Sequence, residues 1–224
     1  MDLGELKSQG ESIVASLEDV KENPVVGGYV PPYIGGGEIK LVIIGQDPTV
    51  RKPESRSKIT CTLNLDKKGA LRSYVEKICE CLCISMENVY ATNLFKYFYT
   101  VPPASNLRIL KNHLPKNLEL LNKEISDLNI SIDCPIVTLG EPVLRLLLEE
   151  NIVLGKEKKV RYYWDYNSTT KSSGRNFRFV DESKNVLSLK FYPFCHQPSM
   201  RKQFYKNCLI DYISFLKENC ISTK

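Results

Sequence analysis

The sequence predicts an α/β fold, a three-layer α/β/α sandwich around a central four-stranded parallel sheet, and three observations carry that prediction. Four short apolar runs, at residues 41–44, 88–94, 135–140 and 185–193, are rich in β-branched or aromatic residues. The first is unbroken by polar residues, as in a strand buried on both faces. Segments with helical apolar spacing separate the runs, and strand, helix, strand in succession implies parallel crossovers.

Residues 5–22 place Leu6, Ile13, Val14, Leu17 and Val20 at helical spacing, and Pro24 marks the end of that helix. The stretch 27–37 then carries Gly27, Gly28, Gly35, Gly36 and Gly37 with Pro31 and Pro32, and reads as a loop or the wall of an entrance. Its glycines precede the first strand, so they are not the phosphate cradle of a dinucleotide site. Residues 1–38 are thus expected to pack on the α/β domain of residues 39–224, giving a single domain overall. After the first strand, a polar loop leads through residues 59–65 to a helix at 70–82 with Leu71, Val75, Ile78 and Leu82 on one face. The second strand ends near Asn93. A long helix spans 107–128, interrupted or started near Pro115, and Glu141-Pro142 opens the helix after the third strand, acid and proline both suiting a helix amino terminus. The fourth strand runs into residues 194–199, and a helix from 204 to 219 closes the chain.

Length and composition suit an ordinary globular protein: 224 residues, 42% hydrophobic and 25% charged. No apolar run approaches the roughly 20 residues of a membrane span, and the first residues lack the basic start and apolar block of a secretory signal. A cytoplasmic monomer is expected, with no membrane association. Eight cysteines in such a chain are read as reduced thiols. Cys79, Cys81 and Cys83 alternate with other residues instead of forming a C-x-x-C clip, so at least two are expected in the core and no metal site is expected.

The net charge of +5 is concentrated. Residues 155–179 hold seven basic side chains, Arg161 and Arg175 among them, against two acidic ones, so this segment alone accounts for the excess. Tyr162, Tyr163, Trp164 and Tyr166 are interleaved with them, a pattern that suits phosphate contact and base stacking. A solvated hairpin with its aromatics packed on the domain is the alternative. The strand at 41–44 stops at Gly45 and delivers Gln46 and Asp47 to its carboxyl end, where ligands gather in open α/β sheets. Taken alone, Asp47 before Pro48 reads first as a turn residue. Asn93 and His196 end later strands in the same way, which places all three at one edge.

These residues resemble those of the uracil-DNA glycosylase superfamily. Gly45-Gln46-Asp47-Pro48 resembles its water-activating motif, His196-Gln197-Pro198-Ser199 its histidine-proline-serine motif, and Asn93 its base-reading asparagine; residues 136–142 resemble its third strand and following helix start. By order of motifs the resemblance covers residues 39–216. It implies base excision from DNA by base flipping, with Asp47 and His196 as catalytic groups and no cofactor. Gln46, Asn93 and Thr49 would meet the base, and Ser199, Met200, Arg201 and Lys202 the DNA, with Met200 or Arg201 as the wedge. Arg161 and Arg175 of the basic segment join them as DNA contacts. Three departures bear on substrate. Thr49 replaces the tyrosine that closes the C5 side of the pocket, residues 59–63 offer no aromatic for stacking, and Gln197 separates His196 from the proline. The expected substrate is therefore uracil or a related, C5-modified pyrimidine. The competing expectation is a catalytically inactive nucleic-acid-binding protein of the same fold.

Overall fold

The computed structural model describes residues 2–17, 25–48, 50, 52–99, 107–165 and 176–220. Seven strands are assigned in it: β1 (Val25–Tyr29), β2 (Tyr33–Ile34), β3 (Leu41–Gly45), β4 (Val89–Asn93), β5 (Tyr97–Tyr99), β6 (Ile136–Leu139) and β7 (Tyr192–Phe194). Six α-helices accompany them: α1 (Leu3–Leu17), α2 (Ala70–Leu82), α3 (Leu107–Asp127), α4 (Glu141–Leu147), α5 (Val160–Tyr163) and α6 (Gln203–Cys220). The fold is mixed α/β, with a mostly parallel five-stranded sheet in the order β2-β4-β3-β6-β7.

β3 lies at the centre because every side chain from Leu41 to Ile44 is apolar and can be covered on both faces, and each is fully buried. Burying one such side chain contributes about 1.5–3 kcal/mol. Its neighbours β4 and β6 are parallel to it, and β7 is parallel to β6. The chain therefore passes from β3 to β4 on one side and later to β6 on the other. That reversal of direction makes the carboxyl ends of these strands the switch point of the sheet, the place where ligands gather in open α/β folds.

Two expectations about the sheet are corrected. It has a fifth strand, since Tyr33 and Ile34, in the stretch read as a loop, pair antiparallel with Ala91 and Tyr90. In the same stretch Val25–Tyr29 pairs antiparallel with Tyr97–Tyr99 to form a separate two-stranded ribbon. Neither pairing shows as an apolar run, because β2 is two residues long and follows two prolines. The last strand, expected over 185–193, is reduced to Tyr192–Phe194. Asn185 explains the loss: its Nδ2 donates to the carbonyls of Asp181 (2.7 Å) and Leu189 (2.9 Å), and its Oδ1 accepts from Leu187 N at 3.0 Å. A side chain that takes up the backbone groups of its neighbours replaces the ladder with a turn, and Ser188 turns there at φ 52°.

The first helix is described as far as Leu17, and the rest of its expected span, with Val20, lies outside the described residues. Helix α3 runs through Pro115 without a break, giving up only the bond that position would make to the Lys111 carbonyl. One hydrophobic cluster runs from Leu6 of α1 to Cys220 of α6. Helix α2 packs against α6, and α3 packs against α1 and α4. Of the three alternating cysteines, Cys79 is buried, Cys81 half-buried and Cys83 exposed just past the helix end, with φ 58°. Cys79 lies in the core and Cys81 packs against it, so two of the three face the core as expected. No helix among the described residues is long and apolar enough to cross a membrane.

The aromatics of the basic segment serve the core. Trp164 Nε1 donates to the Pro193 carbonyl at 2.7 Å, and its ring stacks on Tyr212 at 4.6 Å between centroids. Tyr163 is buried as well. Tyr162 is covered by the Arg178 guanidinium at 4.6 Å and by Lys156 at 5.5 Å. Trp164 thereby anchors β7 to α6, while Tyr162 stays half-buried. Tyr166, Lys171 and Arg175 lie outside the described residues.

Candidate active site

The parallel strands end in register, with Gly45 beside Asn93 and Leu139 beside Phe194. The backbone beyond β4 stays tied to that beyond β3: Leu94 N donates to Gly45 O at 2.9 Å and Phe95 N to Gln46 O at 2.8 Å. Gln46, Asp47, Asn93 and His196 are thereby delivered to the same edge of the sheet. Gln46 Nε2 donates to Asp47 Oδ1 at 2.6 Å and orients the carboxylate, which is only 7% exposed. A buried carboxylate is retained at a cost unless its oxygens are bonded. Tyr97 and Tyr99 stand within its electrostatic reach. Burial first, and the charge of Asp47 in addition, push the Tyr97 hydroxyl up to about 12 and that of Tyr99 higher still.

Asn93 is the least ordinary residue of the edge. It is fully buried, yet neither its Oδ1 nor its Nδ2 finds a hydrogen-bond partner among the described residues. Its carboxamide lies across Gly45, where an added Cβ would run into Asn93 Oδ1 and stand 3.0 Å from Leu63 Cδ2. Glycine is required there by close approach, since the space a side chain would take is occupied by the amide. Leu63 is the cover over this place. It and Asn64 are consecutive non-glycine residues in the left-handed region, with φ of 57° and 53°. That conformation costs about 1–2 kcal/mol per residue and concentrates at ligand sites.

His196 follows β7 and leads into a tight turn at Gln197–Arg201. Its carbonyl accepts from Ser199 N at 2.8 Å, and Ser199 O accepts from Lys202 N at 3.0 Å. Gly140, at φ +95°, turns the chain from β6 into α4, and a Cβ placed on it would lie 3.5 Å from His196 Cβ. The His196 side chain is exposed, and partial desolvation against the sheet edge lowers its pKa below the usual 6.5, so the ring is neutral at neutral pH. A neutral imidazole still donates one hydrogen bond. Met200 is half-buried, with its sulfur 3.2 Å from Cys195 Sγ. Arg201, Lys202 and Lys206 are exposed beside it, and Arg161 is exposed near Tyr205. Thr49 lies outside the described residues, as does Arg175.

The sequence reading missed a second polar cluster behind Asp47. The Tyr99 hydroxyl meets His113 Nδ1 at 2.9 Å, and Asn117 Nδ2 donates to the Tyr97 hydroxyl at 2.9 Å and to the His113 carbonyl at 2.8 Å. His113, given no role from sequence, is buried, and that burial lowers its pKa. The signal that would have found the cluster is the helical spacing of His113 and Asn117, four apart on α3. Leu63 gave no signal, because nothing in its neighbours predicts a left-handed leucine. No protein-family model matches the chain, and no curated protein matches it.

Proposed function

We propose that the chain is a monofunctional DNA glycosylase, a divergent member of the uracil-DNA glycosylase superfamily, that hydrolyses the N-glycosidic bond of uracil or a related pyrimidine. The observation that carries this reading is the carboxamide of Asn93, without a hydrogen-bond partner among the described residues, at the sheet edge that also bears Asp47 and His196. A buried donor and acceptor left unpaired cost about 1–3 kcal/mol each. The O4 and N3–H edge of uracil offers the complementary acceptor and donor, whereas a cytosine edge mismatches both. Asn93 is covered in the unliganded chain, so a base reaching it displaces Leu63, whose strained backbone favours such a movement.

In the proposed reaction the bond between the sugar C1′ and the base nitrogen breaks and its electron pair leaves with the base. Asp47 steadies the cationic sugar and orients the attacking water, whose oxygen bonds to C1′ and whose proton ends on the departing base. His196 donates a hydrogen bond to the oxygen on which negative charge develops. The target base is reached only outside a stacked duplex, and Arg201, Lys202 and Arg161 are placed to hold flanking phosphates. With Thr49 in place of a tyrosine, pyrimidines substituted at C5 are admitted as substrates. We also read the helices as two layers, α2 and α6 on one face of the sheet and α1, α3 and α4 on the other. The protein is read as a cytoplasmic monomer.

The test is incubation with oligonucleotides carrying uracil, mismatched thymine or 5-substituted pyrimidines, followed by identification of the released base. His196→Ala should slow release at least 100-fold while leaving DNA affinity within twofold, a typical loss for one oxyanion donor. Salt-sensitive DNA binding without release of any base would overturn the enzyme reading in favour of a binding protein of the same fold.

A further inference from the structure

Lys96 lies three residues beyond Asn93, and its side chain is 2% exposed, an extreme position for an ammonium group. Its ammonium donates to Thr92 Oγ1 and to the Asn93 carbonyl at 3.0 Å, and it stands 2.5 Å from Glu124 Oε2 of helix α3 as an ion pair. Glu124 is itself fully enclosed, and its other oxygen, Oε1, accepts from the Tyr90 hydroxyl at 2.5 Å. The lysine thus ties the last two residues of β4 to α3, on the far side of the strand from the Gly45 surface that the Asn93 amide crosses. The backbone bonds from Leu94 to Gly45 and from Phe95 to Gln46 fall between Asn93 and Lys96. Stability does not account for such a pair, because removing two charges from water offsets most of what their attraction returns, and apolar replacements do as well or better.

We infer that Lys96 is a positioning residue for base recognition: anchored by Glu124 and Thr92, it fixes the Asn93 backbone and so aims the amide that reads the base. The inference rests on the proposed glycosylase activity. Held by one backbone bond fewer, Asn93 would still meet a base, but its donor and acceptor would no longer be fixed to one edge pattern. A buried amide discriminates only while it cannot turn to suit the wrong partner.

The test is the double variant Lys96→Met, Glu124→Gln, which removes both charges and keeps an acceptor for Tyr90. In folded protein, kcat for uracil release should fall at least tenfold with KM for DNA unchanged, and the preference for uracil over cytosine should narrow by a similar factor. Amide exchange at Leu94 and Phe95 should quicken while that in β3 stays as it was. Thr92→Val keeps the ion pair, removes one tether, and should shift all three readouts in the same direction by less; it serves if the double variant does not fold. Wild-type kcat and base preference in a folded variant would overturn the inference, as would loss of stability alone. Wild-type protein that releases no base overturns the glycosylase reading instead. The exchange measurement needs no substrate, and unchanged exchange at Leu94 and Phe95 overturns the tether independently.

Discussion

Replacing Asn93 with leucine should stabilise the protein while destroying its site. Asn93 is fully buried, and both ends of its carboxamide are without a partner among the described residues. At about 1–3 kcal/mol for each unpaired group, removing the two recovers about 2–6 kcal/mol. Leucine branches at the same carbon but is bulkier, and beside Gly45 and Leu63 the overpacking returns about 1–3 kcal/mol. A net gain of about 2 kcal/mol remains. For a chain of this length each kcal/mol moves the thermal midpoint by about 2–4 °C, so Asn93→Leu should melt about 4–8 °C higher. The same variant should release no detectable base. Calorimetry or urea unfolding measures the first effect and an abasic-site assay the second. A midpoint several degrees below wild type would refute the reasoning, because it would mean that the amide is bonded in the folded protein.

Gly45→Ala should leave the chain folded but push the Asn93 amide aside by about 1 Å, and a misplacement of that size costs roughly 100-fold in rate; base release at the wild-type rate would exclude the close approach seen at Gly45. His113 predicts a pH dependence of stability. Burial lowers its folded pKa below the ordinary 6.5, so between those two values the unfolded chain binds a proton that the folded chain does not, and stability falls as the pH drops through that window. Above the ordinary value the group contributes no penalty, and below the folded value the penalty is constant. Urea midpoints between pH 7.5 and 5 should therefore fall more steeply for wild type than for His113→Gln, and equal slopes would remove His113 as the cause.

How far the sequence revealed the fold follows from which residues act locally. The run of apolar residues in β3 can only be a strand buried on both faces, and the polar residues that end β3, β4 and β7 reach one edge because parallel strands share a direction. β2 was hidden because its two residues carry no pattern of their own and exist as a strand only through pairing with Ala91 and Tyr90. The overlong fourth strand has a single side chain as its cause, since Asn185 captures backbone groups that composition alone assigns to a ladder. Lys96 reads in sequence as an ordinary surface lysine. Only the tertiary placement of Glu124, 28 positions later in sequence on α3, makes it a buried anchor. The aromatic run at 162–164 suited stacking on bases equally well as packing in a core, and the burial of Tyr163 and the hydrogen bond from Trp164 to Pro193 decide for the core at those two positions.

The proposed reaction requires Asp47 to drive hydrolysis of a base recognised at Asn93. Single-turnover release of uracil from a uracil-containing oligonucleotide, compared between wild type and Asp47→Asn, tests it most directly. Wild type should leave abasic sites, and the variant should release base at least 100-fold more slowly (about 2.7 kcal/mol of lost transition-state stabilisation) with unchanged DNA affinity. A variant as fast as wild type would contradict it.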